Sequence, residues 1–250
     1  MSRRQLVELR LRKLAYSIRR PGLWGPLRAG VVPSVDHASL IRRLRPATVI
    51  DVGAHSGQFA LLVRSEWPSA RVISFEPQPE PGAVCRRFLG SDADLRMVAL
   101  GESAGEATMQ VTRASDSSSL LPIGSEQVNR FPGTDRVSEL TVQVSTLDAE
   151  FPDASSLTGP VLLKIDVQGF ELAVLRGGTR FLAAVRWVYV ELSFVELYSG
   201  QPLAPAVIRF LDDHGFEMSG AFNMSEGPSG EAVQADFLFT RAHPAAGAVA

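Results

Sequence analysis

Thr48 to Glu76 run TVIDVGAHSGQFALLVRSEWPSARVISFE, and the punctuation of this stretch decides the fold class. Thr48–Val52 is a short apolar run closed by an acid and a glycine. Gly57–Glu66 reads as a helix and Val72–Glu76 as a second strand. Neither strand alternates apolar with polar residues, the pattern of strands buried on both faces of a parallel sheet. Strand, helix and strand in succession make a βαβ unit with a right-handed crossover, and hence an α/β fold.

The same rhythm continues toward the C-terminus. Pro79–Leu89 reads as a helix and Leu95–Leu100 as a third strand. Glu106–Thr112 and Leu140–Val144 read as strands flanking a polar Ser115–Asp135 segment, and a loop of that length in a compact domain is usually functional or disordered. Val161–Asp166, a helix from Phe170 to Arg176, the strand Trp187–Leu192 and a helix over Pro205–His214 restore the alternation. Phe216–Ala221 and Ala235–Thr240 suit a final antiparallel pair. Upstream, residues 4–19 approximate an amphipathic helix with an arginine-rich face. A Pro/Gly-rich connector (PGLWGPLRAGVVP, 21–33) follows, then a helix from Ser34, its N-cap, to Leu44, ended by Pro46. The expected organisation is a basic helical extension over residues 1–45, an α/β domain over 46–242 and a disordered tail over 243–250.

Composition sets outer bounds. The 250 residues are 45% hydrophobic and 21% charged, ordinary for a globular chain long enough to bury a sizeable core. Cys85 is the only cysteine, which excludes an internal disulfide or a multi-cysteine metal site and fits a reducing cytoplasm. No apolar run reaches the roughly 18 residues of a membrane span, and the N-terminus lacks the apolar core of a signal peptide. Charge is uneven: residues 1–45 carry eleven Arg/Lys against Glu8 and Asp36, while the remainder carries 14 basic residues against 25 acids. A basic helix can lie on an anionic membrane surface, so peripheral contact through residues 4–19 is one expectation. The helix lacks the interleaved aromatics of a single-strand binder, and no nucleic-acid partner is expected.

The cofactor signal is Asp51-Val52-Gly53-Ala54-His55-Ser56-Gly57. A glycine-rich turn between a strand and a helix lets the backbone approach a ligand closely. It is neither G-x-G-x-x-G nor a P-loop. Glu76 ends the next strand, 25 residues on, where a carboxylate can accept from both ribose hydroxyls of a nucleoside. NAD would bring a pyrophosphate to the glycine turn, which Asp51 would repel. S-adenosylmethionine (SAM) would bring an amine, which Asp51 suits.

The residues resemble the FkbM family of SAM-dependent methyltransferases. The resemblance runs from about Val49 to Phe216 and rests on DVGAHSG (51–57), FEPQP (75–79), ALGESAGEA (99–107), Ser117-Ser118-Ser119-Leu120, TLD (146–148), KIDVQGFELAVLRG (164–177), VELSF (190–194) and LYSGQP (197–202). It implies a Rossmann-like class I methyltransferase fold, a mostly parallel seven-stranded sheet with an antiparallel C-terminal strand. It implies that Asp51, Gly53 and Gly57 surround the methionine part of SAM, with Ala54 and His55 also cofactor-binding, that Glu76 holds the ribose, and that Val98 and Ala99 end the third strand beside the adenine. His55 stands where the family usually has Asn. The acceptors implied are hydroxyls of sugars in glycolipids, polysaccharides or glycosylated natural products. The basic helix adds a lipid-linked glycan to that range.

Methyl transfer to an alcohol needs a positioned base or a metal, because the hydroxyl proton must leave. Asp166 and Glu191 end strands and Glu171 opens a helix, so all three are expected at the edge of the sheet that carries Asp51 and Glu76. Asp166 is the expected base or acceptor-orienting residue, with Glu171 and Glu191 positioning the hydroxyl. Glu171 could equally cap its helix or pair with Arg176. These carboxylates could also hold Mg²⁺, though their spacing demands no metal and none is expected. Lys164 is expected to anchor a carboxylate or a loop, and His37, His214 and His243 to be structural or exposed. A non-catalytic SAM- or nucleoside-binding partner protein is the reading from a different class, and the intact acids oppose it.

Overall fold

The computed structural model describes residues 3–90 and 93–242; the tail at 243–250 lies outside them. Three helices come first: α1 (Arg3–Ile18), α2 (Trp24–Arg28) and α3 (Ala38–Leu44). Then β1 (Thr48–Val52), α4 (Gln58–Glu66), β2 (Arg71–Phe75), α5 (Pro79–Leu89) and β3 (Asp94–Arg96) alternate. An insertion holds β4 (Ala99–Leu100), β5 (Gly105–Thr112), α6 (Ser125–Arg130), β6 (Arg136–Ser145) and α7 (Leu147–Glu150). The alternation resumes with β7 (Val161–Ile165), α8 (Glu171–Arg176), β8 (Val185–Ser193) and α9 (Ala204–Asp213), and ends in β9 (Phe216–Glu226) and β10 (Ala232–Arg241).

Seven strands form one sheet in the order β3-β2-β1-β7-β8-β10-β9. The first five are mutually parallel, and β10 runs antiparallel to both its neighbours. This is the sheet the resemblance implies. Every residue of β1 and of β7 is buried, because helices cover both faces, and their lack of alternation follows from that. Ile50, Val52, Leu163 and Ile165 face the layer containing α8 and α9, while Val49 and Leu162 face the layer of α3, α4 and α5. The chain leaves β1 toward β2 and β3, then returns to the other side of β1 with β7. A ligand crevice is expected at such a reversal of strand order, beyond the carboxyl ends of β1 and β7.

Four local expectations are corrected. Leu95–Leu100 is not one strand: β3 stops at Arg96, and Ala99–Leu100 pairs with β6 in a separate three-stranded sheet, β4-β6-β5. Val98 and Ala99 therefore do not end the third strand, and an uninterrupted apolar run conceals the break between two short strands. The 21–33 connector holds a 3-10 turn (Pro21–Leu23) and α2, with Leu23 and Val31 buried. Ser34 makes no side-chain cap, because the 3-10 turn Val35–His37 separates it from α3. The 115–135 segment contains the 3-10 turn Ser115–Ser117 and α6.

At its C-terminal end α1 is tied to α4. Tyr16 donates to Glu66 Oε1 at 2.5 Å, and Arg20 and Arg42 each pair with Glu66 at 3.1 Å. The i, i+3, i+7 stripe Leu11, Leu14 and Ile18 points to solvent, as does Trp24. Among the described residues no helix is long and apolar enough to cross a membrane.

Candidate active site

The turn after β1 can be built only with glycine at its first position. Gly53 has φ 81°, and a Cβ there would lie 1.9 Å from the carbonyl oxygen of Asp166. Its N–H and that of Ala54 donate to the Phe75 carbonyl at 3.1 and 3.0 Å, fastening the turn to the end of β2. Gly57, φ 80°, packs against α5, where a Cβ would meet Cys85 Sγ at 2.9 Å. The turn delivers the His55 N–H to Glu76 Oε2 at 2.8 Å, while the Gln78 N–H donates to Oε1 at 2.8 Å. Burial raises the pKa of Glu76 and these two bonds oppose the rise. Each of its oxygens keeps a lone pair for a further donor.

Three adjoining cavities open at this edge of the sheet. The first is largely apolar and runs from Glu76 past Phe75, Val98, Ala99, Met109 and Leu120. The second is polar, between Ala54, His55, Asp116, Gln127, Lys164 and Gln168. The third is acidic, between Asp36, His37, Tyr189, Glu191, Asn223 and Asp236. Asp166 alone lines all three.

The Asp166 carboxylate is held from both sides. Gln168 Nε2 donates to Oδ1 at 2.8 Å and reaches Glu191 Oε2 at 3.2 Å, and Lys164 Nζ stands 3.6 Å from Oδ2. The orientation of the Gln168 amide is fixed in turn. The Tyr198 hydroxyl lies 2.7 Å from Gln168 Oε1 and shares its proton with the Ser117 carbonyl at 2.9 Å. Glu191 Oε1 accepts from Gln234 at 2.8 Å. Burial, and next the charge of Asp166, raise the Glu191 pKa well above the ordinary carboxylate value.

Asp51 sits behind this wall, fully buried. Lys164 Nζ is 3.1 Å from its Oδ1 as an ion pair, and Oδ2 has no donor. Burial raises the pKa of Asp51. It would lower that of Lys164, but Asp51 and Asp166 hold it above the ordinary value and the ammonium stays charged. His55 lines the first two cavities with Ser115 Oγ 2.8 Å from Nε2 and Ser56 Oγ 2.8 Å from Nδ1. Its pKa is lowered, by burial first, which leaves the ring neutral near pH 7.

The expected site residues thus divide. Gly53, Ala54, His55, Glu76, Val98, Ala99, Asp166 and Glu191 line the cavities. Asp51 and Gly57 stand behind them. Glu171 is corrected: it lines none of the three, but is buried under the β7–α8 loop, accepting from Gly169 N at 2.9 Å and Val167 N at 3.3 Å. Arg176 pairs with Glu102 instead. His37, expected to be structural or exposed, lines two cavities. Gln168, Asn223 and Asp236 carried no sequence signal; a hint lay only in Gln168, a polar residue inside the KIDVQGFE motif. Among the described residues no three His, Cys, Asp or Glu side chains are grouped as a metal site.

The model of the methyltransferase FkbM domain matches residues 51–218, about two thirds of the chain. The chain belongs to the FkbM methyltransferase family. It is 26% identical over 224 residues to 2-O-methyltransferase NoeI of Sinorhizobium fredii, covering 86% of this chain and 88% of that one. It is 29% identical over 195 residues to methyltransferase sdnD of Sordaria araneosa, covering 68% and 74%. It is 29% identical over 148 residues to hexuronic acid methyltransferase AglP of Haloferax volcanii, covering 57% and 54%. The protein is a methyltransferase with S-adenosylmethionine as its cofactor, and the walls fit that group. An apolar cavity for a base adjoins a buried, backbone-anchored carboxylate for a ribose. The turn at Gly53 carries no Cβ to obstruct a close approach.

Proposed function

We propose that this methyltransferase acts on a hydroxyl group of a sugar, and that Asp166 orients that hydroxyl and takes its proton. The position of Asp166 where all three cavities meet carries the proposal. Relatives whose names specify 2-O-methylation and hexuronic acid methylation support the acceptor class.

The cofactor supplies a methyl group already activated on a sulfonium. The chain must align a hydroxyl with it, and alignment alone can contribute roughly 7–11 kcal/mol. Gln168 at Oδ1 and Lys164 beside Oδ2 fix the carboxylate of Asp166, which would take the hydroxyl proton as the methyl group passed from the sulfonium sulfur to the oxygen. Glu191, which accepts from Gln168 and Gln234, stands beside Asp166 to hydrogen-bond the acceptor.

The test is transfer of labelled methyl from S-adenosylmethionine to a panel of glycosides. Asp166→Asn should lower kcat at least ~100-fold, the usual reach of a positioned base, while S-adenosylmethionine still binds in calorimetry. Undiminished turnover would remove Asp166 from its role. Binding without transfer to any acceptor would favour a non-catalytic partner protein.

We also propose that α1 rests on an anionic lipid surface and brings the site to a lipid-linked acceptor. The outward stripe of Leu11, Leu14 and Ile18, with Trp24 and the exposed Arg12 and Arg19, supports this. Leu11→Glu with Leu14→Glu should abolish sedimentation with phosphatidylglycerol vesicles; unchanged sedimentation would end the idea.

A further inference from the structure

We propose that the acidic cavity formed by Asp36, His37, Asp166, Glu191, Asn223 and Asp236 is the acceptor subsite, and that it takes a neutral or amine-bearing sugar and rejects an acidic one. The proposal rests on the sugar O-methyltransferase reading and specifies its substrate class.

The cavity adjoins the reacting position, since Asp166 belongs to both. Much of its wall comes from beyond the family domain. Asp36 and His37 precede residue 51, and Asn223 and Asp236 follow residue 218. These distant segments are locked together. His37 Nδ1 is 2.9 Å from the Tyr189 hydroxyl, and Nε2 is 3.0 Å from Asp36 Oδ2. Tyr189 and Asn223 both donate to Asp236 Oδ2, at 3.1 and 2.7 Å. The frame is preorganised and therefore able to discriminate.

What it offers is acceptors. Four carboxylates line the cavity against Lys164 and His37, and Lys164 is already committed between Asp51 and Asp166. Asp36 Oδ1 is buried without a hydrogen-bond donor, with Lys13 Nζ at 3.6 Å. Hydroxyl and ammonium groups donate to carboxylates; a carboxylate ligand needs an arginine fork or a comparable cation. The chain has 23 arginines, yet none lines the polar or the acidic cavity. Burial, and the charge of Asp166 among other groups, already raise the pKa of both Glu191 and Asp236. A further anion would sharpen that repulsion, and an ammonium would relieve it.

The experiment compares matched p-nitrophenyl glycosides, the β-glucoside, the 2-amino-2-deoxyglucoside and the glucuronide, with their galacto counterparts, as acceptors of labelled methyl. The neutral or amino forms should be methylated, with kcat/KM for the uronides at least about 100-fold lower, a discrimination that like-charge juxtaposition readily supplies. In a folded Asp36→Asn, Asp236→Asn double variant the ratio of uronide to neutral turnover should rise about tenfold. Uronides methylated as well as neutral glycosides, or a ratio unmoved in the double variant, would overturn the charge argument while leaving sugar O-methylation standing. Absence of transfer to every glycoside, with S-adenosylmethionine still bound, would overturn both.

Discussion

Glu76 and Gln168 illustrate opposite relations between a residue and its sequence. The place of Glu76 was legible because it depends on local order: a short strand, an acid at its end, and a glycine turn one element earlier. The two backbone N–H groups that clamp its oxygens leave no tolerance for a donor in their place. Glu76→Gln sets an amide NH₂ against the N–H of His55 or Gln78 and removes the charge that strengthens a ribose hydrogen bond. Calorimetry should find S-adenosylmethionine bound ~10–100-fold more weakly, since a hydrogen bond to a charged group contributes about 1.5–3 kcal/mol. Gln168 was not legible. It adopts a left-handed backbone, φ 56°, and from there its amide reaches Asp166, Glu191 and the Tyr198 hydroxyl. Nothing in a single glutamine codon announces three partners, one of them 30 residues away.

Among the elements, the strands flanking the glycine turn were readable from pattern because each is buried on both faces by its neighbours. The run Leu95–Leu100 was not, since apolar residues fill a sheet-forming stretch whether or not it changes sheets midway. Glu171, at the start of α8, is a related case. Glu171 has the spacing of a site residue, yet its side chain turns inward to brace Val167 and Gly169. Burial raises its pKa to about 7 against these backbone bonds, from an ordinary value of 4.5. The folded protein therefore keeps a proton there that the unfolded chain has lost. The associated stability is complete below about pH 4.5 and is lost as the pH rises through 7. Glu171→Gln keeps an acceptor for the loop and does not titrate. Its melting temperature should match the parent near pH 4 and exceed it by roughly 5 °C at pH 8, the bound set by at most about 3 kcal/mol. Equal melting temperatures at pH 8 would mean that the carboxylate bears its charge without penalty.

At the scale of the molecule, the reversal of strand order places the three cavities at one edge of the sheet, and segments on either side of the family domain line one of them. His37 and Asp236 lie almost 200 residues apart in sequence and meet across a 3.7 Å gap. No window of sequence contains that encounter, which is why His37 read as incidental. The segment after β5 has a different consequence. Ser115, Asp116, Ser118 and Leu120 wall the apolar cavity, and Asp116 with Ser117 walls the polar one. Side chains fasten it down: His55 and Gln78 hold Ser115, Ser119 donates to the Gln168 carbonyl at 2.6 Å, and Tyr198 reaches Ser117. One segment therefore borders both cavities, and release of spent cofactor and product is expected to require its opening. Turnover paced by such opening falls as the solvent thickens, so kcat should decline in proportion to viscosity in sucrose, and Ser119→Ala, by loosening the latch, should flatten that dependence.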